Sequence, residues 1–140
     1  MSTGIEGIDH SLQLTNLWLK DLTARLGTAD RHLAYLALRT TLHALRDRLA
    51  VDEAAHLGAQ LPMVVRGFYY EGWRPAGKPL KEHSKKAFLE HVKAEAHALD
   101  FEPEPAVRAV FGVLAERISA GEIEDVKGAL PEPIRELWPD

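Results

Sequence analysis

A repeated segment is the strongest constraint on how this chain can fold. The sequence contains two copies of one pattern: Leu-Pro, two residues, Val or Ile, then Arg. The copies occupy Leu61–Arg66 and Leu130–Arg135. When the chain is shifted by 69 residues, 37–69 aligns without a gap onto 106–138, and 8 of the 33 aligned pairs are identical. Unrelated sequences would share roughly 2, so the sequence predicts an internal duplication.

Hydrophobic residues recur at helical spacing in both halves. Steps of four, three and four residues place them on one face of a helix. The two aligned stripes are Leu38, Leu42, Leu45 and Leu49, and Val107, Phe111, Leu114 and Ile118. Each half is therefore predicted to contain a long helix, a second long helix and two short helices around the Leu-Pro. The whole is predicted to be an all-α compact bundle of about eight helices, built from two repeated four-helix halves.

Capping residues and prolines predict where the helices begin and end. Residues 1–8 are expected to form a disordered start, with the first helix beginning near Asp9. Gly27 is expected to end that helix, and Asp30 to cap a second one over about 30–49. Further starts are marked by Asp52, Pro62, Ser84 and Pro131, and by Ser119 with Glu122 as a capping box.

The length of 140 residues predicts a single domain over 1–140. Within it, the repeat covers 11–73 and 84–138. A linker rich in Pro, Gly and Lys, 72–83, runs between the halves and disfavours helix.

Composition narrows the classes of function. The net charge of −4 argues against a specific nucleic-acid-binding protein, which usually needs a basic excess. The absence of cysteine excludes disulfides and thiolate metal or redox sites. The N-terminus lacks the pattern of a signal peptide, and no apolar run is long enough to span a membrane. We therefore expect a cytoplasmic protein with no membrane contact, and no motif calls for a cofactor.

Nearly the whole sequence resembles a known bacterial family, the one called domain of unknown function 2267. The resemblance covers about 11–138. It is carried by Leu45–Leu49, Asp52–Ala54, His56–Leu57, Ala59–Pro62, Arg66–Gly67 and Tyr69–Trp73, and by Leu130–Pro131 with Arg135–Trp138. The resemblance implies an all-helical domain with an internal repeat. It implies no catalytic residues.

The two arginines of the repeat are candidate ligand-binding residues. Arg66 and Arg135 could clamp a carboxylate or phosphate, since a guanidinium binds such groups in a bidentate manner. A structural role is the alternative. Each arginine could instead pair with an acid such as Glu53 or Glu122, or bond the last carbonyls of a neighbouring helix.

An aromatic cluster follows the first Leu-Pro. Tyr69, Tyr70 and Trp73, with Arg74 beside them, are residue types that dominate partner and ligand contacts. They could equally belong to the core or seal the linker onto the body. The part without a counterpart in the second half, Tyr70 to Arg74, is the preferred candidate for a contact surface.

No catalytic or metal-binding motif is recognised. The seven histidines do not repeat between the halves and form no HExxH pattern. We therefore predict neither catalytic residues nor a metal site. The favoured function is a non-catalytic helical module for protein interaction or assembly, with a protein partner or a homodimer. The alternatives are a protein that binds a small anion through Arg66, Arg135 and nearby tyrosines, or an enzyme of unrecognised type.

Overall fold

A computed structural model describes residues 2–97 and 101–140. Its described part contains eight helices and no strand, which confirms the prediction of an all-α bundle. The helices are α1 Glu6–Leu26, α2 Arg31–Arg46, α3 Val51–Ala59, α4 Met63–Tyr70, α5 Lys85–Ala96, α6 Pro103–Arg117, α7 Ala120–Ala129 and α8 Glu132–Arg135.

Helix α2 lies at the centre of the bundle and packs against α1, α4, α5 and α6. The two predicted stripes, which lie on α2 and α6 and end at Leu49 and Ile118 just beyond these helices, are buried as predicted, with every member no more than 5% exposed. Helix α1 also packs on α6, α5 on α8, and α3 on both α4 and α7. The described helices include none that is both long enough and apolar enough to cross a membrane.

The order of helix lengths agrees with the predicted halves. Helices α1 to α4 contain 21, 16, 9 and 8 residues, and α5 to α8 contain 12, 15, 10 and 4. The contact between α3 and α7 joins matching elements of the two halves. The internal duplication itself stays a prediction from the sequence.

The expectation of a disordered start is wrong for residues 2–8; Met1 lies outside the described residues. Helix α1 already begins at Glu6. Asp9 lies in its first turn, where Oδ1 accepts hydrogen bonds from the Thr3 N–H at 2.8 Å and the Thr3 hydroxyl at 2.9 Å. The Ser2 hydroxyl donates to the other oxygen at 3.0 Å. These bonds, that of the Thr3 N–H first, lower the pKa of Asp9.

Of the other predicted helix ends, some are confirmed and some are wrong. Gly27 ends α1 in the left-handed conformation, and the side chain of Asp30 accepts from two N–H groups of α2. Asp52 does not cap α3, because that helix starts one residue earlier, with Ala50 as its N-cap. Helix α2 ends at Arg46, three residues before the predicted end near 49.

The capping box at the start of α7 forms only in part. The Ser119 hydroxyl accepts from the Glu122 N–H at 3.3 Å, as expected. The Ser119 N–H, however, donates to Oε1 of Gln60 at 3.2 Å instead of to the Glu122 carboxylate. The side chain of Gln60, from the first half, therefore accepts the bond that a complete capping box would give to the Glu122 carboxylate. That carboxylate lies beside Glu53 and His56 instead.

We expect Leu42→Ala and Leu114→Ala each to lower the free energy of unfolding by about 2–5 kcal/mol, because both side chains are fully buried in the α2 and α6 stripes. Urea denaturation measures the change. Leu17→Ala is the matched control, because Leu17 is 47% exposed on α1 and should cost less than about 0.5 kcal/mol. Equal losses for all three variants would contradict the assignment of the core.

Candidate functional site

The two arginines of the repeat bond the ends of the short helices that precede them. Arg66 Nε donates to Gly58 O at 2.9 Å, and a terminal nitrogen donates to Leu61 O at 2.8 Å. Arg135 forms the equivalent bonds: its Nε donates to Lys127 O at 2.9 Å, and a terminal nitrogen donates to Leu130 O at 2.8 Å. Shifting Gly58 and Leu61 by 69 residues gives those same acceptors. The side chains thus satisfy carbonyls that a helix end leaves open.

Arg66 and Arg135 do not lie in one cleft. Each lines a separate surface depression, that of Arg66 with Trp18 and Arg117, and that of Arg135 with Trp138. Within the described residues, neither arginine forms an ion pair with a carboxylate. Arg66 and Arg135 therefore have the structural role: both donate hydrogen bonds to carbonyls at helix ends.

The predicted aromatic cluster forms a row of edge-on and tilted ring contacts that begins in the core. Tyr69 is fully buried and donates its hydroxyl to Ala54 O at 2.6 Å. Burial raises its pKa far above the ordinary value. The Tyr70 ring lies 4.9 Å from that of Tyr69 and 5.5 Å from that of Trp73. Tyr70 and Trp73 are half-buried against the core, and Arg74 is exposed.

A buried polar network between α2 and α5 was not predicted. Arg46 and Arg48, which are not members of the apolar stripe, are both 4% exposed. Arg48 donates to Ala44 O at 3.0 Å and to Nδ1 of His91 at 2.9 Å, and it also pairs with Glu82. Burial, and then the charge of Arg48, lower the pKa of His91. Because a guanidinium can only donate, Nδ1 of His91 accepts this bond and carries no proton.

His43 and Glu95 form the second part of this network. Nδ1 of His43 lies 2.7 Å from Glu95 Oε1, and Nε2 lies 2.6 Å from Phe68 O. Burial alone raises the pKa of Glu95, but the hydrogen bond and charge of His43 outweigh it and lower the pKa. His43 is 2% exposed, so both of its ring nitrogens are committed inside the protein. The pair joins α2 to α4 and α5 rather than facing a substrate.

A cluster of two glutamates and one histidine lies where α3 packs on α7. Glu122 is 8% exposed, and the side chain of Glu53 is 17% exposed. His56, one turn after Glu53, places Nδ1 3.7 Å from Glu53 Oε2, with its side chain 73% exposed. One donor atom from each residue lies within 4.8 Å of the other two. The carboxylates therefore lie inside the helix contact, and the imidazole opens it to solvent.

The cluster alters the acidity of its inner glutamate. Burial raises the pKa of Glu122 to about 7, and the hydrogen bond and charge of Glu53 act in the same direction. Asp125 adds to the rise, and His56 opposes it. A group that titrates near neutral pH can hold or release a proton, or accept a cation, under ordinary conditions.

Sequence reasoning passed over this cluster although two signals were present. Glu53 and Glu122 are an identical pair in the alignment of the two halves, although the sequence suggests them first as partners of the arginines. Glu53 and His56 also form a Glu-x-x-His pair, a spacing that helical carboxylate metal sites use. The contact between α3 and α7, which completes the cluster, depends on the tertiary fold.

The fold and these contacts define a small all-helical bundle whose repeated arginines serve helix ends. The chain matches, over residues 15–137, the family described as "Uncharacterized conserved protein (DUF2267)", and it belongs to that family. This confirms the resemblance carried by the Leu-Pro and Arg segments. No curated protein matches the chain.

We expect Glu122→Gln to raise the free energy of unfolding at about pH 8 by about 1–3 kcal/mol and to change it little at about pH 4. The folded pKa of about 7 exceeds the ordinary value of 4.5. The folded state therefore binds more protons between these values. The stability that Glu122 contributes is complete below pH 4.5 and is lost as the pH rises to about 7.

Urea denaturation in the presence of a chelator, at both pH values, measures this difference. Glu124→Gln is the matched control, because Glu124 lies on the same helix with its side chain 74% exposed. It should show no comparable gain at high pH. A Glu122→Gln variant whose stability relative to wild type is independent of pH would contradict the paired-carboxylate description.

Proposed function

We propose that this protein is a non-catalytic helical interaction module that assembles through the N-terminal part of α1, with a second copy of the chain as its partner. One observation carries the proposal. Ile5 at the N-cap of α1, Ile8 and Leu12 are 56%, 37% and 38% exposed, although they lie on one side of the helix. Exposed apolar side chains grouped in this way are typical of contact sites.

These residues begin a longer pattern, which we call the α1 stripe. Its members follow one another at steps of three and four residues: Ile5, Ile8, Leu12, Thr15 and Leu19. The same steps lead on to Leu22, which is fully buried in the core. The stripe is therefore a continuation of the core seam beyond the body of the bundle. Such 3–4 spacing is the pattern by which two helices pack along their length.

The flanks of the α1 stripe favour a second copy as the partner. In the heptad that the spacing defines, Asp9 and Asn16 flank the stripe on one side, and Gly4 and Ser11 on the other. Only one of these four residues is charged. Two copies related by a two-fold axis can thus bring their stripes together without a row of like charges.

The other predicted surfaces carry less support. Tyr70 and Trp73 already bury part of their area against the core, so less apolar surface is left for a partner. The anion-binding alternative would use guanidinium N–H groups of Arg66 and Arg135. Because several of these groups already donate to backbone carbonyls, fewer are left to bind an anion. The buried pair of His43 and Glu95 likewise lends little support to the enzymatic alternative.

We expect the double variant Ile8→Asp/Leu12→Asp to be monomeric where the wild-type chain is a dimer, because each carboxylate would be buried in the apolar contact. Sedimentation equilibrium at micromolar concentrations measures the change. Leu17→Asp is the matched control, because Leu17 is 47% exposed on α1 but lies off the stripe. This control should remain dimeric.

A wild-type chain that is monomeric throughout this range would overturn the proposal. Dissociation by Leu17→Asp to the same extent would also contradict it. A third variant, Trp73→Ala, tests the aromatic alternative, since loss of the dimer in that variant alone would move the interface to Tyr70, Trp73 and Arg74. Circular dichroism confirms that each variant retains its helical content.

A further inference from the structure

We propose that Glu53, His56 and Glu122 form a binding site for one divalent transition-metal ion of the zinc class, at the contact between α3 and α7. This inference is independent of the assembly proposed for α1. It depends on four features of the cluster: its geometry, its unpaired oxygens, its charge and its donor types.

The geometry needs only a small adjustment to bind an ion. The three donor atoms lie within 4.8 Å of one another. Ligands about 2.1 Å from a tetrahedral ion are separated from one another by about 3.4 Å. The separation of 3.7 Å between Glu53 Oε2 and His56 Nδ1 is already close to this value. Because the His56 side chain is largely exposed, its ring can rotate without disturbing the core.

Apart from the hydrogen bond between the two carboxyl groups that raises the pKa of Glu122, two buried carboxylate oxygens have no donor among the residues described. These atoms are Glu53 Oε2 and Glu122 Oε2, and both are inaccessible to solvent. Glu122 is more than nine-tenths buried, so its unpaired oxygen is the less expected of the two. A buried carboxylate oxygen normally has a donor or a cation beside it. A metal ion held between the glutamates would supply that partner.

The local charge also favours a cation. In the described part of the chain, no lysine or arginine forms an ion pair with Glu53 or Glu122. Asp125 adds a further negative field, which raises the pKa of Glu122. By the alignment of the halves, Asp125 matches His56 just as Glu122 matches Glu53. The two helices thus bring three acids and a single imidazole together, and a divalent ion balances two of the carboxylates.

The donor types select the class of metal. Carboxylate oxygens alone would suit Ca²⁺ or Mg²⁺, but an imidazole nitrogen favours Zn²⁺ and its transition-metal neighbours. Three protein ligands also fall short of the six to eight oxygens that Ca²⁺ takes. The exposed side of His56 leaves a fourth position open to water.

Isothermal titration of the full chain with ZnCl₂, after removal of metal with a chelator, tests the site. We expect one Zn²⁺ per chain, together with a rise in melting temperature on addition of Zn²⁺. Glu53→Gln, His56→Gln and Glu122→Gln should each weaken binding at least tenfold, because each removes one of three ligands. MgCl₂ under the same conditions should give no saturable binding.

Two controls separate this site from the other histidines and acids. Glu124→Gln removes an exposed carboxylate of α7, and His10→Gln removes an exposed imidazole of α1. Both should bind Zn²⁺ like the wild type. Glu122→Gln is expected to be more stable than wild type without metal, so its loss of binding cannot be attributed to unfolding.

Absence of Zn²⁺ binding at about 100 µM protein would overturn the proposal. Binding that is unchanged in Glu122→Gln would also overturn it, because the ion would then be held by other residues. Equally tight binding of Mg²⁺ would contradict the assigned class of metal.

Discussion

Burial of the apolar faces of α2 and α6 is the contact on which the rest of the structure depends. Both helices are long, and their stripes meet at the centre of the bundle. The short helices α3, α4, α7 and α8 are too short to be stable alone, so they gain their stability from packing. Arg46 and Arg48 are buried on the other side of α2, beside residues of α4 and α5, where each side chain requires polar partners.

The buried polar groups differ in how well these requirements are met. Arg46 donates to the carbonyls of Tyr69 and Glu71, and Arg48 donates to Ala44 O and to Nδ1 of His91. His43 has a hydrogen-bonding partner at each ring nitrogen. Glu53 and Glu122, in contrast, face each other with like charge and with unpaired oxygens. Arg48 Nε and Glu95 Oε2 also lack a partner, but among the described residues only the two glutamates, together with His56, form a cluster that could hold a metal ion.

The two proposals concern separate parts of the molecule. The α1 stripe is an apolar surface that continues the core seam beyond the bundle, whereas the glutamate cluster lies between α3 and α7. The first gains free energy by removing apolar area from water, and the second by neutralising charge. Each can therefore be disrupted by substitutions that leave the other intact.

The sequence by itself determined the helices, the two buried stripes and the family, because apolar spacing and capping residues act over a few neighbouring positions. It also identified Arg66 and Arg135 as equivalent residues, but it left their partners open. Only the tertiary structure decided that they bond carbonyls, that Arg46 and Arg48 are buried, and that Glu122 meets Glu53 instead of completing its capping box. These outcomes depend on contacts between residues far apart in the chain, which local spacing does not encode.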